Sequence, residues 1–318
     1  MKIAILYTGE LRTIKKTIDY FIKNVLNLYD CSIFASIQGS SYGQKLDENE
    51  YSNFLKDKLG ERLKTLKWID KENGEYINIS NNILNNFNFY NLDHRGLNYL
   101  KQKIDYNRVK ETENIKNYLK SSGTLIEHFQ IYQSYLSMIE FENVNNLKFD
   151  YVMRFRTDTI LFKKLNLDIF NFSKESFNKK LSLYQSENIL DTTNKIINSY
   201  IFPDFINQNK KIIKNEIRNI FEYLKNEKFV FVIRANLIYI TKRDNMDIIS
   251  NIINEYAKKG HELEPSHYWN AENQFRSICL RNGIDMFNFE NESGQECFYN
   301  FDKDSFVDDK TIYGIIRS

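Results

Sequence analysis

A chain of 318 residues can bury a sizeable core and is slightly longer than one core usually grows, so one large domain carrying an insertion is expected. Its 44 basic and 42 acidic residues leave a formal charge of +2, which provides no basic field for nonspecific nucleic-acid binding. Cys31, Cys279 and Cys297 are scattered without CxxC spacing, which argues against a disulfide framework or a cysteine zinc site and suits a reducing compartment.

In chain order, "KIAILYTG" (2–9) is a near-continuous apolar run closed by Gly, the pattern of a strand buried on both faces of a parallel sheet. It is too short for the apolar region of a signal peptide, and no later segment approaches a membrane span, so a cytoplasmic location is expected. "TIKKTIDYFIKNVL" follows, with Ile14, Ile18, Phe21, Ile22 and Val25 at helical spacing. "DCSIFASIQ" (30–38) then reads as a second strand and completes a βαβ unit.

Residues 40–125 are more polar and read as an insertion of mixed, mainly helical character, with a helical pattern in "YSNFLKDKLGERLKTL" and a strand fragment in "EYINIS". "TLIEHFQIYQSYLSMIEFENV" resumes helical periodicity, with Phe129, Tyr132, Leu136 and Ile139 on one stripe and Gln130, Gln133, Ser134 and Ser137 mostly off it, on the side predicted to meet solvent or a ligand. "FVFVIRANLIYIT" (229–241) predicts a strand pair or one bent strand, and "DNMDIISNIINEYAKK" an amphipathic helix behind it. A further helix is expected from about 270 to 281, ending at Gly283.

The anomaly is "YVMRFRTDTILF" (151–162), a buried-strand pattern carrying two arginines and an aspartate. Side chains alternate along a strand, so Arg154, Arg156 and Asp158 share one face, and Met153, Phe155 and Thr157 the other. One carboxylate cannot neutralise two guanidinium groups, and an unpartnered buried charge costs several kcal/mol. The completing anion is either an acid from a neighbouring element or a diphosphate, bound bidentately by Arg while Asp158 holds a divalent cation. A second candidate lies in "TGELRT", where Gly9 permits a turn at the end of the first strand and Arg12 stands near a helix start that favours an anion.

"YTGELRT", "FDYVMRFRTD" and, more weakly, "ANLIYITKRDNMDII" and "AENQF" resemble bacterial and large-virus GT-A-type sugar transferases of capsule and lipopolysaccharide synthesis, the WavE-like group included. The likeness touches the first forty residues, 128–162 and about 230–285. It implies a single α/β, GT-A-like (Rossmann-like) domain with a central mixed sheet flanked by helices, binding a nucleotide-diphospho-sugar donor and a glycan or lipid-linked acceptor. Donor contacts would come from Thr8, Gly9, Arg12, Gln130, Arg154, Arg156 and Asn236. Asp158 stands where such enzymes keep the last acid of a DxD metal motif, but Arg156 replaces the first acid, so a Mn or Mg ion would have one carboxylate from this motif instead of two. An inverting reaction also needs a base, with Glu272 and His267 as candidates and His261 nearby; at a helix start Glu272 has an equally good structural role. The alternatives are a sugar-phosphate transferase and a non-catalytic nucleotide-sugar-binding protein on the same fold. The acceptor is what would bring the chain to the inner face of a membrane.

Overall fold

The computed structural model describes residues 1–41, 44–85, 123–162, 164–165, 228–234, 236–259, 271–288, 297–300, 305–306 and 313–315. The apolar run at the start forms β1 (Ile3–Glu10) and leads through a 3-10 turn, Leu11–Thr13, into α1 (Ile14–Asn24) and then β2 (Cys31–Gln38). A two-residue pair, β3 (Ser40–Ser41) and β4 (Gln44–Lys45), precedes α2 (Glu48–Leu59), β5 (Leu63–Trp68) and α3 (Gly74–Asn85). After these come α4 (Gly123–Asn145), β6 (Tyr151–Arg156), β7 (Thr159–Leu161), β8 (Phe229–Arg234), β9 (Ile238–Lys242), α5 (Arg243–Ser250), α6 (Ile252–Lys259), α7 (Ala271–Arg281) and β10 (Asp285–Asn288). The short strands β11 (Cys297–Asn300), β12 (Ser305–Phe306) and β13 (Tyr313–Ile315) close the described chain.

The protein is α/β, with a mixed seven-stranded sheet in the order β10-β8-β9-β6-β1-β2-β5. β1 pairs in parallel with both β2 and β6, and β9 runs antiparallel to β6 and β8. A smaller sheet, β12-β11-β13-β7, takes the continuation of β6 beyond a turn at Thr157–Asp158. One side of the large sheet packs Tyr7, Phe155 and Ile37 under α1 and α2, through Ile14, Ile18, Phe21, Leu55 and Leu59. The other side packs Leu6, Phe34, Val152 and Tyr239 under the remaining helices, through Tyr76, Phe129, Met246, Ile253 and Phe275. Strand order therefore reverses between β1 and β6, and the covering helices change sides at the same place.

Three local expectations change. "EYINIS" lies within α3: Asn73 Oδ1 accepts from the backbone N–H groups of Glu75 (3.0 Å) and Tyr76 (3.1 Å), capping a helix that buries Tyr76, Ser80, Ile83 and Leu84. Those four share a helical spacing that outweighs the local alternation. "LKTLKW" leaves the helix after Gly60 (φ 55°) and becomes the sheet-edge strand β5, so residues 63–68 belong to the main sheet, while residues 86–122 of the expected insertion lie outside the described residues. The helix expected after residue 243 divides at Asn251 into α5 and α6, where Ser250 Oγ donates to the Met246 carbonyl at 2.7 Å.

α4 is oriented against its sequence pattern. Gln130, Gln133, Ser134 and Ser137 are buried, whereas Tyr132, Leu136 and Ile139 of the apolar stripe are only half-buried. The polar side faces inward: Gln130 Nε2 donates to the Gly9 carbonyl at 3.1 Å, and Gln133 Nε2 donates to Glu75 at 2.9 Å.

Candidate functional site

β6 alternates as expected. Met153 and Phe155 enter the core beneath α1, while Arg154 turns to the α4 side with Thr8. Because α4 runs antiparallel to β6, its first turns stand over the carboxyl ends of β1 and β6. The β8–β9 turn carries Asn236 to the same end, since β9 begins opposite Phe155.

Here the structure brings together Thr8, Gly9, Gln130, Arg154, Arg156, Asp158 and Asn236. Gly9 has φ +137°, and a Cβ on it would lie 2.4 Å from Thr157 Oγ1 and 3.1 Å from Arg156 Cγ, so the close approach of β1 to the β6–β7 turn requires glycine. That approach is held by Thr157 N–H donating to the Thr8 carbonyl at 2.9 Å and Thr157 Oγ1 donating to the Glu10 carbonyl at 2.7 Å.

The two arginines have different partners. Arg154 is fully buried; its Nε donates to Thr8 Oγ1 at 3.2 Å, and its Nη2 lies 2.8 Å from Oε1 of Glu127 on α4. That last contact is ionic and off-line, so neither Nη atom of Arg154 makes a directed hydrogen bond. Arg156 forks onto Asp158, with Nε to Oδ1 at 2.5 Å and Nη2 to Oδ2 at 2.6 Å. About a fifth of the Arg156 side chain is exposed, against 5% for Asp158. Burial alone would lower the Arg156 pKa; Asp158 outweighs it, with Glu127 and Glu10 adding to the effect, and the guanidinium is held above its ordinary value.

One correction to the sequence-based expectation follows. The acid completing Arg154 is internal, Glu127, so this guanidinium does not await an external diphosphate; Asn236 converges on the same carboxylate, its Nδ2 donating to Glu127 Oε1 at 2.5 Å. Asp158 is engaged as well: both its oxygens accept from Arg156, so a cation there would compete with that guanidinium. The chemistry available at this turn is that of an outward-facing guanidinium oriented by a carboxylate.

Glu272 lies in the first turn of α7, half-exposed, at this same end of the sheet because α7 runs antiparallel to β10. Gln274 ties that turn to α4: its Oε1 lies 2.6 Å from His128 Nε2. His128 is buried, and burial pulls its pKa down to about 4 against the opposing pull of Glu127 and Gln274, so the ring is neutral and donates to Gln274. Arg12 stands in the Leu11–Thr13 turn, with its side chain outside the described residues. His267 and His261 also lie outside them. Burial pushes the thiols of Cys31 and Cys279, both free, up to about 12.

Glu127 is the residue that sequence reasoning missed. Its signal is an acid inside the apolar start of α4, between the buried Ile126 and Phe129, on a helix leading into a strand with a surplus arginine. No protein-family model matches the chain, and no curated protein matches it.

Proposed function

We propose that the protein is a nucleotide-sugar-dependent glycosyltransferase of GT-A type, moving a sugar to a glycan or lipid-linked acceptor in surface-glycan synthesis. The observation that carries this reading is the reversal of strand order between β1 and β6, with Thr8, Gly9, Arg156 and Asp158 at the carboxyl ends on either side of it. In open α/β sheets the crevice beyond such a reversal is where nucleotides bind. The mixed sheet with one reversed strand and the "GELR" and "RFRTD" segments bordering that crevice support the same reading.

In this reading the donor diphosphate meets Arg156, whose Nη1 is engaged by no described residue. Asp158 holds the guanidinium's orientation, so little side-chain entropy is lost on binding. As the nucleoside diphosphate departs, charge grows on its oxygens, and a fixed guanidinium stabilises it. Glu272 and His267 are the candidate bases for the acceptor hydroxyl. The closed Arg156–Asp158 pair favours a second reading, in which the fold binds a nucleotide sugar without turning it over. Among the described residues no helix is long and apolar enough to cross a membrane.

The test is a thermal-shift panel of UDP, GDP, CDP and TDP with and without Mn2+ or Mg2+. One diphosphate raises the melting temperature, because a ligand at a hundred times its Kd adds about 2.7 kcal/mol of apparent stability. A panel with no shift overturns the reading, and a shift only with cation means that Asp158 can be drawn away from Arg156. Donor turnover releasing a nucleoside diphosphate separates transfer of a sugar from transfer of a sugar phosphate, which releases a monophosphate. Binding without turnover selects the second reading.

A further inference from the structure

We propose that Glu127 is a hydroxyl-binding carboxylate of this crevice, with Arg154 and Asn236 as the residues that position it. The proposal rests on the nucleotide-sugar reading and narrows it to one contact, between Glu127 Oε2 and a hydroxyl of the ligand.

An acid needed only to neutralise an arginine has a better geometry available, and the same helix contains it. Near the other end of α4, Glu142 uses both oxygens on Arg243: Nε lies 3.1 Å from Oε1 and 3.0 Å from Oε2, and Nη2 lies 3.0 Å from Oε2. Glu127 instead takes Arg154 and Asn236 through Oε1 alone. An ionised carboxylate offers about four acceptor positions, so Oε2 is left without a donor among the described residues. The Glu127 side chain is 16% exposed, whereas that of Arg154 is 0% exposed and Asn236 is 2% exposed. Of the three, the carboxylate is the member that reaches the surface at this end of the sheet, and two buried donors hold it in place.

The charges around Glu127 decide what it accepts from. Arg154 touches it, and the charge of Glu127 also stabilises the guanidinium of Arg156. A cationic guest would meet two guanidinium groups and be repelled. A neutral donor gains a charge-assisted hydrogen bond without that penalty, and in a nucleotide sugar the abundant neutral donors are hydroxyls, on the ribose or on the sugar.

The test measures, by calorimetry, binding of the nucleoside diphosphate that the panel selects, of its 2′-deoxy and 2′,3′-dideoxy analogues, and of a matching nucleotide sugar. The proteins are wild type, Glu127→Gln and the double variant Glu127→Gln/Arg154→Met. The double variant removes the buried charge pair together and so keeps the fold if the single change does not. Both variants are expected to lose about 10- to 100-fold in affinity, the weight of one charge-assisted hydrogen bond. A ribose contact weakens the nucleoside diphosphate, and removing the hydroxyl from the ligand then makes wild type and variants bind alike. A sugar contact leaves the nucleoside diphosphate unchanged and weakens only the nucleotide sugar. Wild-type affinity of a folded variant for both ligands overturns the role of Glu127 and leaves the nucleotide-sugar reading standing. Wild-type protein that binds no nucleoside diphosphate and no nucleotide sugar overturns that reading, and the role of Glu127 with it.

Discussion

α4 carries two acid–arginine pairs fifteen residues apart, about 22 Å along the helix axis, and they are built differently. At the amino ends of β1 and β6, Arg243 meets both oxygens of Glu142, pairs with Asp247 and lies over the Tyr135 ring at 5.3 Å. Glu142 also accepts the backbone N–H of Phe149 at 2.9 Å. At the carboxyl ends, Arg154 is more deeply buried and less well served, with one off-line contact to one oxygen of Glu127 and a 3.2 Å bond to Thr8. The amino-end pair is a fastener between α4 and α5. The carboxyl-end pair leaves hydrogen-bonding capacity unused, which costs stability.

The largest expected effect separates the two ends. Glu127→Ala leaves Arg154 charged and fully buried, and denaturant unfolding should register a loss of about 3–5 kcal/mol. Glu142→Ala leaves Arg243 with Asp247 and some solvent, so about 1–3 kcal/mol is expected. Equal losses would end the distinction.

Gly9→Ala should cost about 2–4 kcal/mol, combining positive φ with the 2.4 Å approach to Thr157 Oγ1. Thr157→Ala in the Gly9→Ala background should recover part of that loss in thermal melts, because it removes the clashing hydroxyl.

His128 gives the carboxyl end an acid sensitivity. Its folded pKa of about 4 lies below its ordinary 6.5, so the unfolded chain takes up the proton first. The stabilisation is complete above about pH 6.5 and fades as pH falls towards 4, by roughly 3 kcal/mol in all. His128→Gln should flatten that part of the stability profile; an unchanged slope would assign it to other groups.

The smallest effect belongs to the amino end. Lys148→Ala breaks an exposed pair with Asp244, and its cost should stay below about 0.5 kcal/mol and shrink with added salt.

Much of this arrangement is legible in the chain. The apolar run of β1, the charged alternation of β6 and the stop at Gly283 are local patterns, and the structure follows each, whereas Gly9 stays within β1 and serves the close approach to Thr157 instead of a turn. The reading fails where a segment's neighbours decide. "EYINIS" alternates like a strand yet becomes α3 because Asn73 caps it and Ile83 and Leu84 find a core. The polar side of α4 looks solvated yet faces the sheet, where Gln130 and Gln133 find acceptors on β1 and α3. For the candidate site, the chain indicated Arg154, Arg156, Asp158 and Asn236, but not that two of them meet at Glu127.

The sequence by itself determined that two guanidinium groups and a carboxylate would emerge near the end of an internal strand, because side-chain alternation is a property of consecutive residues. Only the tertiary structure decided the partner of Arg154, which is Glu127 from a helix 27 positions upstream, whereas Arg156 meets Asp158 two residues on. A buried charge must be neutralised, but which acid does so depends on how the chain packs, and packing is fixed by contacts between segments distant in sequence.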